Sequence, residues 1–172
     1  GKFCESIGNC SSLSTLSFTS CNLVDDKIEF LIPVLQNFKH LQKFDISRDS
    51  ISPASFDNVC RALCMNHELE SFHWADNQLG DSSSFVDLIK SVPTLKQIDL
   101  SGIILTESWL KALNQIFDES WQLVDIKITD NNEILRKKIA RNEMRNEMLR
   151  RGPSARMIKY AIPDTDDIFD DF

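Results

Sequence analysis

The sequence predicts an α/β solenoid: about five β-α repeats with a parallel concave sheet and outer helices, closed by a C-terminal capping helix. Three observations predict it. One strand pattern returns five times at near-constant spacing, a stretch with helical periodicity follows each of the first four copies, and a run of strong helix formers without Pro or Gly follows the fifth.

The pattern is plainest in "LKQIDLSGIIL", residues 95–105, where Leu95, Ile98, Leu100, Ile103 and Leu105 fit neither a helix nor a plain alternating strand. A short strand that breaks into a turn and a loop does produce that spacing. Equivalent sets are Leu13-Leu16-Phe18-Cys21-Leu23, Leu41-Phe44-Ile46-Asp49-Ile51, Leu69-Phe72-Trp74-Asn77-Leu79 and Leu123-Ile126-Ile128-Asn131. The strand motifs therefore start near 13, 41, 69, 95 and 123 and follow L-x-x-L-x-L-x-x-(N/C)-x-L. Asn77 and Asn131 sit where an amide can bond backbone groups that no strand satisfies, and Cys21 is expected to fill the same slot as a small buried thiol. Asp49 and Ile103 depart from the pattern and leave the loop bonding of repeats two and four open. Trp74 in a Leu position predicts a locally swollen core.

The segments between the strands carry apolar residues at helical spacing: Val24, Ile28, Leu31, Ile32 and Leu35; Phe56, Val59, Cys60, Leu63 and Cys64; Phe85, Leu88 and Ile89; Trp109, Leu110, Leu113, Ile116 and Phe117. Asp25, Ser52, Asp81 and Thr106 stand at their heads as candidate N-caps. Pro53 suits a first helical turn, whereas Pro33 and Pro93 are expected to end or bend helices.

"LSTLSFTSCNL" and "VCRALCMNHELESFHWADNQLGD" resemble the ribonuclease-inhibitor class of leucine-rich repeats, over roughly residues 10–131. The resemblance implies repeats of about 28 residues that pair a strand with a full helix. Five short repeats followed by a terminal helix are also similar in layout to the C-terminal domain of tropomodulins, which cap actin pointed ends. The "LGD" and "C-R-A-L-C" phrasing resembles the sensing end of nucleotide-binding immune receptors. The chain thus divides into a solenoid over 1–132, a basic capping helix over 133–152 and an acidic-aromatic tail over 153–172.

Charge follows those divisions: residues 1–132 carry a net −8, 133–160 a net +6 and 161–172 a net −5. On the terminal helix Ile134, Leu135, Ile139 and Leu149 are expected to cover the end of the solenoid, leaving Arg136, Lys137, Lys138, Arg141, Arg145, Arg150 and Arg151 as a basic exterior and a docking surface for an acidic partner. In the tail, "AIPDTDDIFDDF" sets Phe169 and Phe172 among aspartates, the make-up of a disordered end, of a docking peptide or of a strap that folds back on the basic helix, and its place after that helix is similar to the C-terminal regions of actin-nucleation promoters.

The outward residues of the strands can be read directly. Ser17, Asp45, His73, Asp99 and Lys127 form one column. Lys43, Ser71, Gln97 and Asp125 flank it on one side, and Ser47, Ala75, Ser101 and Thr129 on the other. Asp45, His73, Asp99, Lys127, Lys43, Gln97 and Asp125 are the partner-binding candidates on this face.

No catalytic apparatus is visible. His40, His67 and His73 share no metal-ligand spacing with the cysteines, and H-E-x-x-H, G-x-S-x-G, P-loop and G-x-G-x-x-G motifs are missing. Neither cofactor nor metal is expected, Cys60 and Cys64 are read as core, and His73 is read as a contact residue. The acidic body disfavours nucleic acid, and no run of about 18 apolar residues is present to span a bilayer. Five cysteines without a C-x-x-C pair suit a reducing cytoplasm. The chain begins with Gly and lacks a signal-peptide pattern, so the expectation is the C-terminal part of a longer intracellular protein or complex that binds a protein partner.

Overall fold

A computed structural model describes residues 12–129 and 132–151. Strands β1 (Thr15–Ser17), β2 (Lys43–Asp45), β3 (Ser71–His73), β4 (Gln97–Leu100) and β5 (Asp125–Ile128) alternate with helices α1 (Asp25–Leu35), α2 (Pro53–Leu63), α3 (Ser82–Ser91), α4 (Glu107–Glu119) and α5 (Glu133–Arg151). The strands form one sheet, parallel throughout, in the order β1-β2-β3-β4-β5. The predicted α/β repeat architecture is what the chain adopts. Asn131, Cys4, Cys10 and the tail with Phe169 and Phe172 lie outside the described residues.

Register follows the sequence repeat. Leu16, Phe44, Phe72, Ile98 and Ile126 face one another strand to strand, and all five are buried. Phe44 and Phe72 stack with centroids 6.2 Å apart and planes 6° apart. Each such side chain contributes about 1.5–3 kcal/mol by leaving water, which no single repeat could gain alone because its apolar flank is covered by the next one. Trp74 is fully buried; its ring meets Phe56 edge-on at 5.1 Å and its indole N–H donates to the Gln78 carbonyl at 2.8 Å. Small Ser55, Ala62 and Ser84 are also buried on the helices.

After each strand the chain must leave the sheet quickly. Ser20, Arg48, Asp76 and Gly102, each two residues past the last strand position of the motif, adopt φ of 58°, 65°, 55° and 78°. That left-handed turn is cheap only for Gly102. It aims the Ser20, Arg48 and Asp76 N–H groups at the Ser47, Ala75 and Ser101 carbonyls, 2.8–3.0 Å away.

The Asn slot then ties one repeat to the one before it. Asn77 accepts from Asp49 N and Ile51 N, both at 3.1 Å, and donates to the Ile46 carbonyl at 2.8 Å. Asp49 also bonds across, accepting from Leu23 N at 2.9 Å, so repeat two keeps its loop bond despite the altered residue. Cys21, expected to be buried, is exposed. The slot faces the preceding repeat, and among the described residues none precedes the first.

Ser52, Asp81 and Thr106 cap α2, α3 and α4 as expected. Asp25 does not cap α1; it lies in the first turn and accepts from Ser52 N at 3.1 Å and Ser55 Oγ at 2.6 Å of the next helix. Pro33 neither ends nor interrupts α1, which runs on to Leu35. Its ring is on the exposed side, where water can serve the Glu29 carbonyl that the missing N–H leaves open. Pro93 follows directly on the end of α3.

Candidate functional site

The face of the sheet away from the helices carries the predicted column in register: Ser17 opposite Asp45, Asp45 opposite His73, His73 opposite Asp99, and Asp99 opposite Lys127. Short parallel strands set these side chains one strand spacing apart, close enough for neighbours to touch.

Asp45 and Asp99 are built alike. Each sits two residues before a serine, and each gives one carboxylate oxygen to that serine's N–H, at 3.1 Å for Ser47 and 3.0 Å for Ser101. The Ser101 hydroxyl also donates to Asp99. The second oxygen of each acid turns to the neighbouring strand: His73 Nδ1 lies 3.3 Å from Asp45, and Lys127 Nζ lies 3.9 Å from Asp99. Burial pushes the Asp45 carboxyl up, but the Ser47 and Thr19 hydrogen bonds and the His73 charge outweigh it and hold the group below its ordinary value.

Ser71 Oγ bonds His73 Nε2 at 2.9 Å, so the imidazole is held at both nitrogens. Its side chain keeps 21% exposure against 14% for Asp45, whereas Lys127 keeps 61%. Lys43 is half-buried, and Gln97 reaches Asp125 at 3.5 Å. The strip is a row in which two acids alternate with an imidazole and an ammonium group, part-buried at its centre and open at Lys127.

The basic helix is arranged differently from the expectation. Arg141, predicted on the exposed exterior, is buried. It donates to the Phe117 carbonyl and to Asp118 at 3.4 Å, while Lys138 donates to Asp118 at 2.7 Å and to the Asn114 carbonyl at 3.1 Å. Both cations serve the carbonyl end of α4, where a helix attracts positive charge. Arg145 is half-buried. Leu135 is buried and Ile139 packs against the core, but Ile134 is exposed.

Sequence reasoning missed a fully buried polar group of this helix. Asn142 is fully buried and donates to the Ser120 and Leu123 carbonyls at 3.1 and 2.9 Å. Asn66 does the same further back, donating to the Leu35 and Phe38 carbonyls. Phe38 and Ser120 each stand three residues before the first Leu of a strand motif, so α5 supplies from a helix the bond that a following repeat supplies from its loop. An Asn among strong helix formers was the available signal.

Cys60 is fully buried and Cys64 half-buried, with Cys64 Sγ donating to the Cys60 carbonyl. Burial first, and then Asp57, push the Cys60 thiol well above the usual range, which suits packing and not ligation or attack. Among the described residues no group of three His, Cys, Asp or Glu is placed to hold a metal ion, and no helix is long and apolar enough to cross a membrane.

Solved structures share this arrangement. The chain is similar to the tropomodulin C-terminal domain of Caenorhabditis elegans, with a TM-score of 0.72 at 17% identity over 87% of this chain and 99% of that one. It is equally similar to leiomodin-1 actin-binding site 2, with a TM-score of 0.72 at 11% identity over 93% and 96%. No protein-family model matches, and no characterised protein matches by sequence. At these identities the likeness shows the fold: a leucine-rich-repeat-like domain of five parallel strands and five helices.

Proposed function

We propose that this chain is a non-catalytic protein-interaction module that engages its partner through the strand face centred on His73. The observation that carries the reading is the cross-strand row Asp45–His73–Asp99–Lys127, in which backbone bonds fix the acids before any partner arrives. Such a strip offers preset charges at known spacing, which gives specificity more than raw affinity. The repeat spacing and the Asn77 slot further support the ribonuclease-inhibitor class of leucine-rich repeat. Cytoplasmic location and membership of a larger chain belong to the same reading.

Ser71, His73 and Asp45 fall in the order of a hydrolytic relay, but the Ser71 N–H is committed to the Gln42 carbonyl at 3.0 Å and the residue is buried. The Ser71 N–H is therefore not free to serve an oxyanion at its own hydroxyl. Turnover abolished by His73→Ala would overturn the non-catalytic reading. The module reading is tested by capture of partners on folded protein: Lys127→Glu is expected to weaken capture roughly tenfold, the scale of one close charge pair, while Lys111→Glu on the outer face of α4 leaves it unchanged. Equal capture by both variants refutes the face.

A more specific reading is binding of actin, favoured by the neighbour that is itself an actin-binding site. Co-sedimentation with actin filaments and a change in pyrene-actin assembly are its expected results. Silence in both removes actin and leaves the module standing.

A further inference from the structure

The outward charges of β2 and β5 are the reverse of each other. β2 presents Lys43 and then Asp45, and β5 presents Asp125 and then Lys127. The register sets Lys43 in one row with Asp125 and Asp45 in the next row with Lys127, while His73 on β3 stands in that second row beside Asp99 on β4. Each of these charges therefore has its opposite at the mirrored place across a line between β3 and β4.

Two of the charges are left over within the chain. Asp45 has His73 and Asp99 has Lys127. Among the described residues Lys43 forms no ion pair, and Asp125 has only the Gln97 amide, at 3.5 Å. Both are half-buried, so each has lost part of its water without gaining an opposite charge.

We propose that the strand face is a homodimer surface, on which a second copy of this chain docks about a two-fold axis that runs parallel to the strands between β3 and β4. Such an axis turns one sheet face onto another and exchanges β2 with β5 and β3 with β4. Lys43 then meets Asp125 of the second copy, Asp45 meets Lys127, and His73 meets Asp99, each contact occurring twice because the interface is isologous. No like charges fall opposite one another on the four strands. Strands that stay aligned across the interface match the common face-to-face packing of sheets.

A two-fold across the strands would instead bring Lys43 to Asp45 and Asp125 to Lys127. That arrangement competes with bonds already made, since Asp45 serves Ser47 N and His73, and Lys127 has Asp99. The axis along the strands joins the two charges that are left over. Four strands about 4.8 Å apart make a patch well below the roughly 800 Å² per partner of a stable interface, so the dimer is weak and forms at high chain concentration. The net charge of −7 on each chain opposes it, but at about 0.1 M salt that repulsion is screened beyond about 10 Å, whereas partly buried contact pairs are screened much less.

The test is sedimentation equilibrium of the full chain, kept reduced, in about 0.1 M salt and up to about 1 mM chain. The average mass is expected to rise with concentration toward that of two chains. Lys43→Asp alone and Asp125→Lys alone each set like charges opposite and are expected to weaken the dimer at least about tenfold. An equimolar mixture of the two variants is expected to restore it, because one chain then carries acids at both places and the other carries bases; Lys43→Asp combined with Asp125→Lys in one chain is expected to restore it as well. A mass of one chain throughout, growth beyond two chains, a dimer that survives either single change, or a mixture that stays monomeric overturns the two-fold. The proposal rests on the reading of this face as an interaction surface, and the two fail separately: a chain that stays monomeric while Lys127→Glu still weakens capture of another protein overturns self-pairing alone.

Discussion

Replacing Asp49 by Asn is expected to stabilise the fold, because the slot it occupies is shaped for an amide. At the same place one repeat later, Asn77 uses its oxygen to accept two backbone N–H groups and its NH2 to donate to the Ile46 carbonyl. Asp49 reproduces the accepting half by bonding Leu23 N, but its Oδ2 is buried without a hydrogen-bond partner. An amide there brings a donor toward the Phe18 carbonyl, the equivalent of Ile46 one repeat back. Asp and Asn are nearly isosteric, so packing is unchanged and the polar balance alone decides. An unpaired buried polar atom costs about 1–3 kcal/mol, and a gain of about 1–2 kcal/mol is expected after local relaxation. With a urea slope of about 2 kcal/mol per molar, the midpoint rises by roughly 0.5–1 M. Equilibrium urea unfolding followed by tryptophan fluorescence measures it, with an unchanged slope as the condition for comparison. The reciprocal Asn77→Asp is expected to lower the midpoint by a similar amount. A midpoint that falls for Asp49→Asn, or holds for Asn77→Asp, would show that the slot does not select a donor.

Arg141→Ala is expected to cost about 2–3 kcal/mol in thermal or urea unfolding, since it strips a charged donor from the Phe117 carbonyl and Asp118; a loss below 0.5 kcal/mol, the scale of ordinary surface changes, would mean that α5 does not rely on it. Ser50→Gly, at an exposed position with φ of 57°, is expected to stabilise by about 0.5–1 kcal/mol, whereas Gly102→Ala is expected to destabilise because its φ is 78° and the added Cβ would collide with the Asp76 carboxylate. The pair fails as evidence of turn strain if the two shifts share a sign. Asp25 is held below its ordinary value chiefly by the Ser55 hydroxyl. A lowered folded value means stability that is full above about pH 4 and is lost as pH falls through the folded value; Ser55→Ala is expected to shrink the difference between urea midpoints at pH 6 and pH 3, and an unchanged difference would dismiss that bond as the cause.

Much of the fold was legible because a stacked repeat has one rule and restates it. Burial in a strand repeats every two residues and in a helix every 3.6, so the five motifs fixed which residues face inward, and the shared spacing set Asp45, His73, Asp99 and Lys127 in one row before any coordinates were known. What the pattern leaves open is where polar atoms find partners. The His73 contacts to Ser71 and Asp45 depend on side-chain rotation, and the second oxygens of Asp45 and Asp99 turn to His73 and Lys127 one strand away.

The ends were the least legible part, and for a physical reason. Periodicity describes a residue with a like neighbour on both sides, and among the described residues the first and last repeats each lack one. Cys21 carries the motif's thiol in a slot for which the described residues hold no earlier repeat, and it is exposed. On α5 the charge run signalled an outer face, yet Arg141, Lys138 and Asn142 turn inward because the open carbonyls of α4 and its following loop lie beneath them. The sequence by itself determined the repeat, its register and its inward face. Only the tertiary structure decided which polar groups answer one another across 20 to 30 residues, because a hydrogen bond depends on distance and direction in space and leaves no period along the chain.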